Sequence, residues 1–94
     1  MVIVRVELFG QARLATDKRW VELAVPSNPW VSNLTQALAK RFPQLVGKAI
    51  RDDRCGLLES YTFNLNGTDF LDGQDRLNLT ANDTILLFSS QAGG

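Results

Sequence analysis

The chain has 94 residues, of which 45% are hydrophobic, and its ten basic and ten acidic residues balance to a formal charge of zero. This length and apolar content suit one folded domain and exclude global disorder, because enough apolar surface is present for one core. The balanced charge, without a run of Lys or Arg, argues against a nucleic acid or a membrane as the main partner.

Two alternating segments lie near the start of the chain. Residues 2–8 carry valine or leucine at every second position, which is typical of a strand with one buried face. Residues 20–25 repeat this pattern. The connection begins with Phe9-Gly10-Gln11-Ala12-Arg13 and stays polar to Asp17. We therefore predict an antiparallel hairpin whose strands are joined by a loop.

A helix is predicted after Pro26, which ends the second strand. Asn28-Pro29 could cap and begin this helix, or the helix could begin a turn later, near Val31 or Ser32. Its apolar stripe follows helical spacing and consists of Val31, Leu34, Leu38 and Phe42. Pro43 disfavours the helical conformation of the residue before it and should end the helix. Residues 44–50 could add one further helical turn.

Shorter extended segments are predicted in the second half. Residues 61–65 alternate, Asn66-Gly67 is a strong turn signal, and residues 68–71 could return as a short strand. Leu77 and Leu79 indicate another short extended piece before a turn at Asn82-Asp83. Residues 84–88 are apolar at positions that face both ways, as in a strand inside a sheet that is covered by a helix.

This order of elements predicts an α+β fold. One main helix with an apolar stripe must cover one face of a mixed sheet, and the last strand is placed centrally, beside the first. Such a layout is a β-grasp, or ubiquitin-like, roll. We assign residues 1–88 to this domain and residues 89–94 to a flexible C-terminal tail that ends in Gly-Gly.

Patterns for catalysis or metal binding are absent from the sequence. Without histidine, the chain can build neither a His-activated nucleophile nor a structural zinc site. The carboxylates of Asp52-Asp53 and of Asp69, Asp72 and Asp75 lie in turn-rich segments that favour Asp for backbone reasons. Cys55 has no second thiol and no base. We predict no metal site and no bound cofactor.

The cellular compartment follows from what the sequence lacks. A single cysteine cannot form an internal disulfide, and the first residues lack the features of a signal peptide. No apolar run approaches the roughly 20 residues that span a bilayer. We therefore expect a cytoplasmic protein.

The best candidate for chemistry is the terminal Gly93-Gly94. Two glycines carry the α-carboxylate on a thin backbone that can thread a narrow channel. Adenylation by ATP would give this carboxylate a good leaving group, after which sulfide, a persulfide, a thiol or a lysine amine could attack. Fully extended, residues 89–94 would span roughly 20 Å, which is enough to reach a partner's active site.

The sequence resembles the ubiquitin-like sulfur carriers of the MoaD/ThiS family, particularly the small subunit of molybdopterin synthase and its longer bacterial and archaeal relatives. The resemblance covers almost the whole chain and rests on the order of short motifs. These are Phe9-Gly10-Gln11-Ala12-Arg13, Ala39-Lys40-Arg41-Phe42-Pro43, Asn66-Gly67, Phe70-Leu71-Asp72-Gly73, Leu79 with Asn82-Asp83, and the terminal Ala92-Gly93-Gly94. Ser89-Ser90 stands where many relatives have two prolines, and Gln91 replaces a usual apolar residue.

This resemblance implies a co-substrate carrier and not an enzyme. Gly94 would be adenylated by an activating enzyme that uses ATP, converted to a thiocarboxylate, and used as sulfur donor for a synthase subunit, with molybdopterin as first expectation. Ala92, Gly93 and Gly94 would thread into the partner. Apolar docking is expected at Phe9, Phe63, Leu86 and Phe88.

Several alternatives stay open at this point. A carrier of this kind could serve cysteine or thiamine biosynthesis, or it could be a ubiquitin-like modifier that is joined to lysines through Gly94. A third possibility is a non-covalent interaction module with an inert tail.

Overall fold

A mixed five-stranded sheet carries one main helix on one of its faces in the computed structural model, which describes residues 1–89. The strands are β1 (Val2–Leu8), β2 (Trp20–Val25), β3 (Tyr61–Leu65), β4 (Asp69–Leu71) and β5 (Thr84–Ser89). The helices are α1 (Gln11–Thr16) and α2 (Val31–Arg41), followed by a 3₁₀ turn at Pro43–Leu45. In the order β2-β1-β5-β3-β4, β5 runs parallel to β1 and the other neighbours are antiparallel. The predicted α+β roll is confirmed.

The core lies between α2 and the sheet face to which the alternating apolar residues point. The predicted alternation is confirmed in β1 and β2, whose buried side chains are Val4, Val6, Leu8, Val21, Leu23 and Val25. In β5, Ile85 and Leu87 are completely buried, whereas Leu86 and Phe88 are half-buried on the other face. We call this other face, opposite α2, the open face.

The central position predicted for the last strand is confirmed. β5 pairs with β1 on one side and with β3 on the other. It extends to Ser89, one residue beyond the domain boundary predicted from the sequence, and Ser89 pairs with Tyr61. Residues 90–94, which hold most of the predicted tail, lie outside the described part of the chain.

Helix α1 replaces the loop predicted between the first two strands. Gly10, with φ of 60°, turns the chain out of β1, and Asp17, with φ of 57°, ends the helix in the left-handed region. A helix of six residues is too short to be stable alone. It is stabilised by packing, because Ala12 and Thr16 are buried whereas Leu14 is exposed. The prediction missed it because this support comes from distant parts of the chain.

Helix α2 begins at Val31, the later of the two predicted starts. The backbone N–H of Trp30 donates to the Asn33 side-chain oxygen at 2.9 Å, which satisfies a donor at the helix start. The helix ends at Arg41, before Pro43, as predicted. Its predicted apolar stripe is buried. Within residues 1–89, no helix is long and apolar enough to cross a membrane.

The segment around Leu77 and Leu79 forms no strand, but its backbone is hydrogen-bonded to the residues before α2. The Leu77 N–H donates to the Pro29 oxygen and the Leu79 N–H to the Ser27 oxygen, both at 2.8 Å. Both leucine side chains are buried in the core. This segment therefore fixes the chain before α2 and closes one end of the core.

A cluster of hydrogen bonds joins the β3–β4 turn to the start of β5. The Asn66 N–H donates to the Thr84 oxygen, and the Thr84 N–H donates to the Asn66 side-chain oxygen, both at 2.8 Å. The Asp83 carboxylate accepts from the Asn66 side-chain amide at 2.9 Å and from the Thr80 N–H at 2.8 Å. These bonds lower the pKa of Asp83 below its usual value of 3.8, and the bond from the Asn66 side chain has the largest effect.

We expect Leu87→Ala to lower the free energy of unfolding by about 3 kcal/mol, because it removes a completely buried side chain from the central strand. Leu86→Ala, on the half-buried face of the same strand, is the matched control and should cost less than about 1.5 kcal/mol. Urea unfolding followed by circular dichroism measures both. Equal losses would contradict the assignment of the two faces.

We expect Asp83→Ala to lower the free energy of unfolding by about 1 kcal/mol at neutral pH, through loss of its hydrogen bonds. Because the folded-state pKa is lowered, this stabilisation is present above the unfolded pKa and is lost as the pH falls through the folded value. Urea unfolding at neutral pH and at about pH 3 should show the difference from wild type shrinking in acid. A difference that does not depend on pH would contradict this account.

The matched control for this comparison is Asp52→Ala. Asp52 is exposed, and among residues 1–89 its carboxylate has no hydrogen bond. It should change stability little at either pH.

Candidate functional site

The candidate site surrounds the end of β5, where the chain leaves the sheet toward the predicted reactive glycine. Ala92, Gly93 and Gly94 themselves lie outside the described residues, so their roles stay predictions. What the structure describes is the surface from which the last five residues depart.

Two of the predicted docking residues, Leu86 and Phe88, lie together on the open face. Successive strand residues point to opposite faces, so these two side chains point away from the buried Ile85 and Leu87. Across the sheet, Phe88 pairs with Thr62. Both predicted residues are therefore in position for contact with a partner.

Phe9 lies beside them, at the end of β1. Its N–H donates to the Leu87 oxygen at 3.1 Å, which continues the pairing of β1 with β5 for one further residue. It follows the buried Leu8, so its ring points to the open side, where it is half-buried. The Arg13 guanidinium lies 5.1 Å from the centre of this ring, and its Nε donates to the Leu8 oxygen at 3.0 Å.

Phe63, the fourth predicted docking residue, is a core residue. It is 1% exposed and pairs with Leu87 and Leu71, on the face that α2 covers. The prediction was wrong for a simple reason of strand geometry. The alternation of Tyr61, Phe63 and Leu65 with polar residues already indicated that these three share the buried face.

Phe70 takes the place that Phe63 was expected to fill, and the prediction missed it. Its ring is 69% exposed, and its centre lies 6.0 Å from that of Phe88. A two-residue turn at Asn66-Gly67 would pair Phe70 with Phe63, on the core face. The turn instead includes Thr68, so Phe70 pairs with Asn64 on the open face. The sequence contains no signal that selects this register.

We call Phe9, Phe70, Leu86 and Phe88 the open-face patch. Two of these side chains come from β5, one from β4 and one from the residue that follows β1. Aromatic side chains that stay accessible in this way are typical of protein docking surfaces. The patch can bind an apolar partner surface, but it has no group that could act as a nucleophile or a base.

The open face beyond the patch carries both charged and apolar side chains, among them the exposed Ile3. Arg5 and Glu7 of β1 form an ion pair at 3.2 Å, and the Arg5 guanidinium lies 4.2 Å from the ring centre of Trp20 on β2. A shallow depression of about 280 Å³ lies at the border with the patch, lined by Glu7, Asn66, Gly67, Thr84 and Leu86.

Most of the acidic residues that the sequence offered as candidate reactive groups, and the cysteine, take part in local hydrogen bonds. Asp53 accepts from the Cys55 N–H at 2.9 Å, and this bond, with the neighbouring Arg51, lowers the pKa of the Asp53 carboxyl. Cys55 is exposed, and its sulfur accepts from the Gln36 amide at 3.3 Å. Asp72 and Asp75 accept backbone N–H groups of their own turn. Within residues 1–89, no three acidic or cysteine side chains are placed to hold a metal.

The larger cavity, of about 390 Å³, lies away from the patch. It runs along the start of α2 and the loop before β3, and its lining includes Thr35, Arg51, Cys55, Tyr61 and Gln74. Arg51 is already paired with Asp53 at 3.1 Å. This cavity offers no set of groups that would perform a reaction.

The sequence matches no known protein-family model. It also matches no curated protein.

Solved structures share the fold at low sequence identity. Small archaeal modifier protein 1 (SAMP1) from Haloferax volcanii superposes with a TM-score of 0.78 at 23% identity, over 98% of this chain and 99% of that chain. SAMP1 from Methanosarcina acetivorans gives 0.74 at 24%, over 100% and 98%. A candidate molybdopterin converting factor subunit 1 from Pyrococcus furiosus gives 0.70 at 18%, over 95% and 98%. The chain therefore has the β-grasp fold of these ubiquitin-like proteins.

Proposed function

We propose that this chain is a ubiquitin-like sulfur carrier of the MoaD/ThiS type, whose Gly94 carboxylate is activated and converted to a thiocarboxylate. The observation that carries the proposal is the open-face patch at the end of β5, directly before a segment that ends in Gly93-Gly94. A docking surface beside a chain end suits a protein whose terminus is delivered to another protein's active site.

The chemistry proceeds in two balanced steps. A carboxylate oxygen of Gly94 attacks the α-phosphorus of ATP, and pyrophosphate leaves, which forms an acyl adenylate. Hydrosulfide then attacks the acyl carbon, AMP leaves with the bonding electron pair, and the resulting thioacid loses its proton to water, which gives the thiocarboxylate. Both steps need an adenylating partner enzyme that binds ATP, because the carrier body offers no catalytic group at the patch. The carrier is thus a co-substrate and binds no cofactor itself.

The folded body provides recognition in this proposal. Phe9, Phe70, Leu86 and Phe88 contact first the activating enzyme and later the sulfur-accepting synthase subunit. The residues after Ser89 reach the active site while the patch stays docked. We assign no nucleic acid or membrane partner and place the reaction in the cytoplasm, where ATP is available.

The acceptor of the sulfur is proposed from the comparisons. The Pyrococcus furiosus protein is described as a molybdopterin converting factor subunit, which supports molybdopterin synthesis as the first pathway to test. Carriers for cysteine or thiamine synthesis would use the same activated terminus.

A second candidate function is protein modification. The two similar archaeal proteins are named modifiers, which favours a chain that is joined to other proteins. In this case the acyl adenylate is attacked by a lysine amine, AMP leaves and an isopeptide bond forms. A body that only binds a partner, with an inert tail, is the remaining alternative.

We expect intact-mass spectrometry to show the mass change of one oxygen-to-sulfur exchange after the chain is incubated with the activating enzyme of the same organism, ATP and hydrosulfide. Fragmentation should place the exchange at Gly94. A chain that lacks Gly93-Gly94 is the matched control and should stay unchanged. Isopeptide-linked products that accumulate in cells, without the exchange, would favour the modifier, and no adenylation at all would contradict both.

We expect Phe88→Ala to raise the KM for the carrier in ATP–pyrophosphate exchange by about tenfold with little change in kcat, because the docking surface loses a half-buried aromatic side chain that a partner can contact. Leu14→Ala is the matched control, since Leu14 is 75% exposed on α1 and lies outside the patch. It should change KM less than about twofold. Equal effects of the two substitutions would contradict the assignment of the patch.

A further inference from the structure

Asn64 differs from the other buried polar residues of the chain. Within residues 1–89, three polar side chains are buried, namely Thr16, Thr35 and Asn64. Thr16 donates to the Ala12 oxygen at 2.8 Å and Thr35 to the Val31 oxygen at 3.0 Å. Asn64 is 4% exposed, and its Oδ1 is buried without a hydrogen-bond partner among these residues. Asn64 is thus the one buried polar side chain of residues 1–89 with an unpaired oxygen.

This carbonyl lies within the open-face patch. Asn64 pairs with Leu86 of β5 on one side and with Phe70 of β4 on the other, and cross-strand partners share a face. Both neighbours are members of the patch. The orphan acceptor thus sits between the apolar side chains that a docking partner would contact.

An unpaired buried acceptor has a cost in stability that an apolar side chain of similar shape would avoid. A carbonyl that has lost its water and gained no donor is destabilising, whereas leucine at the same place would bury a hydrocarbon surface. Within residues 1–89 no group donates to the Asn64 Oδ1. A donor on a docking partner would remove this cost.

We propose that Asn64 is a specificity-determining residue of the docking surface, and that the activating enzyme supplies an N–H or O–H donor to its Oδ1. This inference rests on the proposed carrier function. Its cross-strand neighbour Phe70 is 69% exposed on a three-residue edge strand, so a docking partner can displace the ring and bring a donor to the carbonyl.

The physical basis of the specificity is the penalty for a wrong partner. A partner surface that is only apolar would seal Asn64 into the interface with its carbonyl still unpaired. A partner that places a donor between its apolar side chains removes this penalty. Discrimination by buried groups that are left unpaired is stronger than discrimination by apolar contact alone.

The test compares Asn64→Leu with the matched control Thr62→Val. Both substitutions replace a polar side chain of β3 on the open face by an apolar one of similar shape, but the Thr62 hydroxyl already donates to the Phe63 oxygen at 3.4 Å. Two quantities are measured for each variant, the midpoint of urea unfolding and the KM for the carrier in ATP–pyrophosphate exchange with the activating enzyme.

We expect Asn64→Leu to unfold at the same or a higher urea concentration than wild type, and to raise KM about tenfold with kcat unchanged. Thr62→Val should change KM less than about twofold. Asn64→Ala, which leaves more space, should raise KM as well and serves if the leucine does not fit.

The outcomes separate this inference from the proposed function. An unchanged KM for Asn64→Leu and Asn64→Ala, with wild type activated normally, overturns the role of Asn64 alone. An equal rise in KM for Thr62→Val also overturns it, because any polar group of this face would then suffice. A wild-type chain that is not adenylated overturns the carrier function and, with it, this inference.

Discussion

The pairing of β5 between β1 and β3 is the constraint on which the rest of the structure depends. It buries Ile85 and Leu87 completely and so fixes which face of the sheet belongs to the core. The strict alternation of a strand then places Leu86 and Phe88 on the open face. The same pairing holds the last described residue, Ser89, against Tyr61. One strand therefore defines the core face and the open face, and it carries the last described residue.

The folded body and the terminal carboxylate differ in the chemical groups that they offer. The folded body carries apolar contacts, ion pairs and satisfied turn carboxylates, but it assembles no nucleophile with a base and no metal ligands within residues 1–89. In the proposed function, reactivity belongs to the Gly94 carboxylate, which a partner enzyme activates. Under this proposal the geometry around the end of β5 matters more than either cavity. Neither the cavity along α2 nor the depression beside the patch contains a set of groups that suggests a reaction.

The hairpin of β3 and β4 shows how one residue of register changes a functional surface. Its three-residue turn, held by the bonds of Asn66 to Thr84 and Asp83, brings Phe70 and Asn64 onto the open face. A turn shorter by one residue would place Phe70 on the core face, and Phe88 would lose its aromatic neighbour. The turn cluster therefore connects local hydrogen bonding with the composition of the docking surface.

Local patterns in the sequence were sufficient for most of the fold. Alternation identified the buried faces of β1 and β2, the apolar stripe and Pro43 bounded α2, and the continuous apolar run placed β5 in the centre, because these signals arise from neighbours in the chain. Helix α1, the register of Phe70 and the isolation of the Asn64 carbonyl were decided only by the tertiary structure. Each depends on contacts between residues that are distant in sequence, and no local preference encodes them.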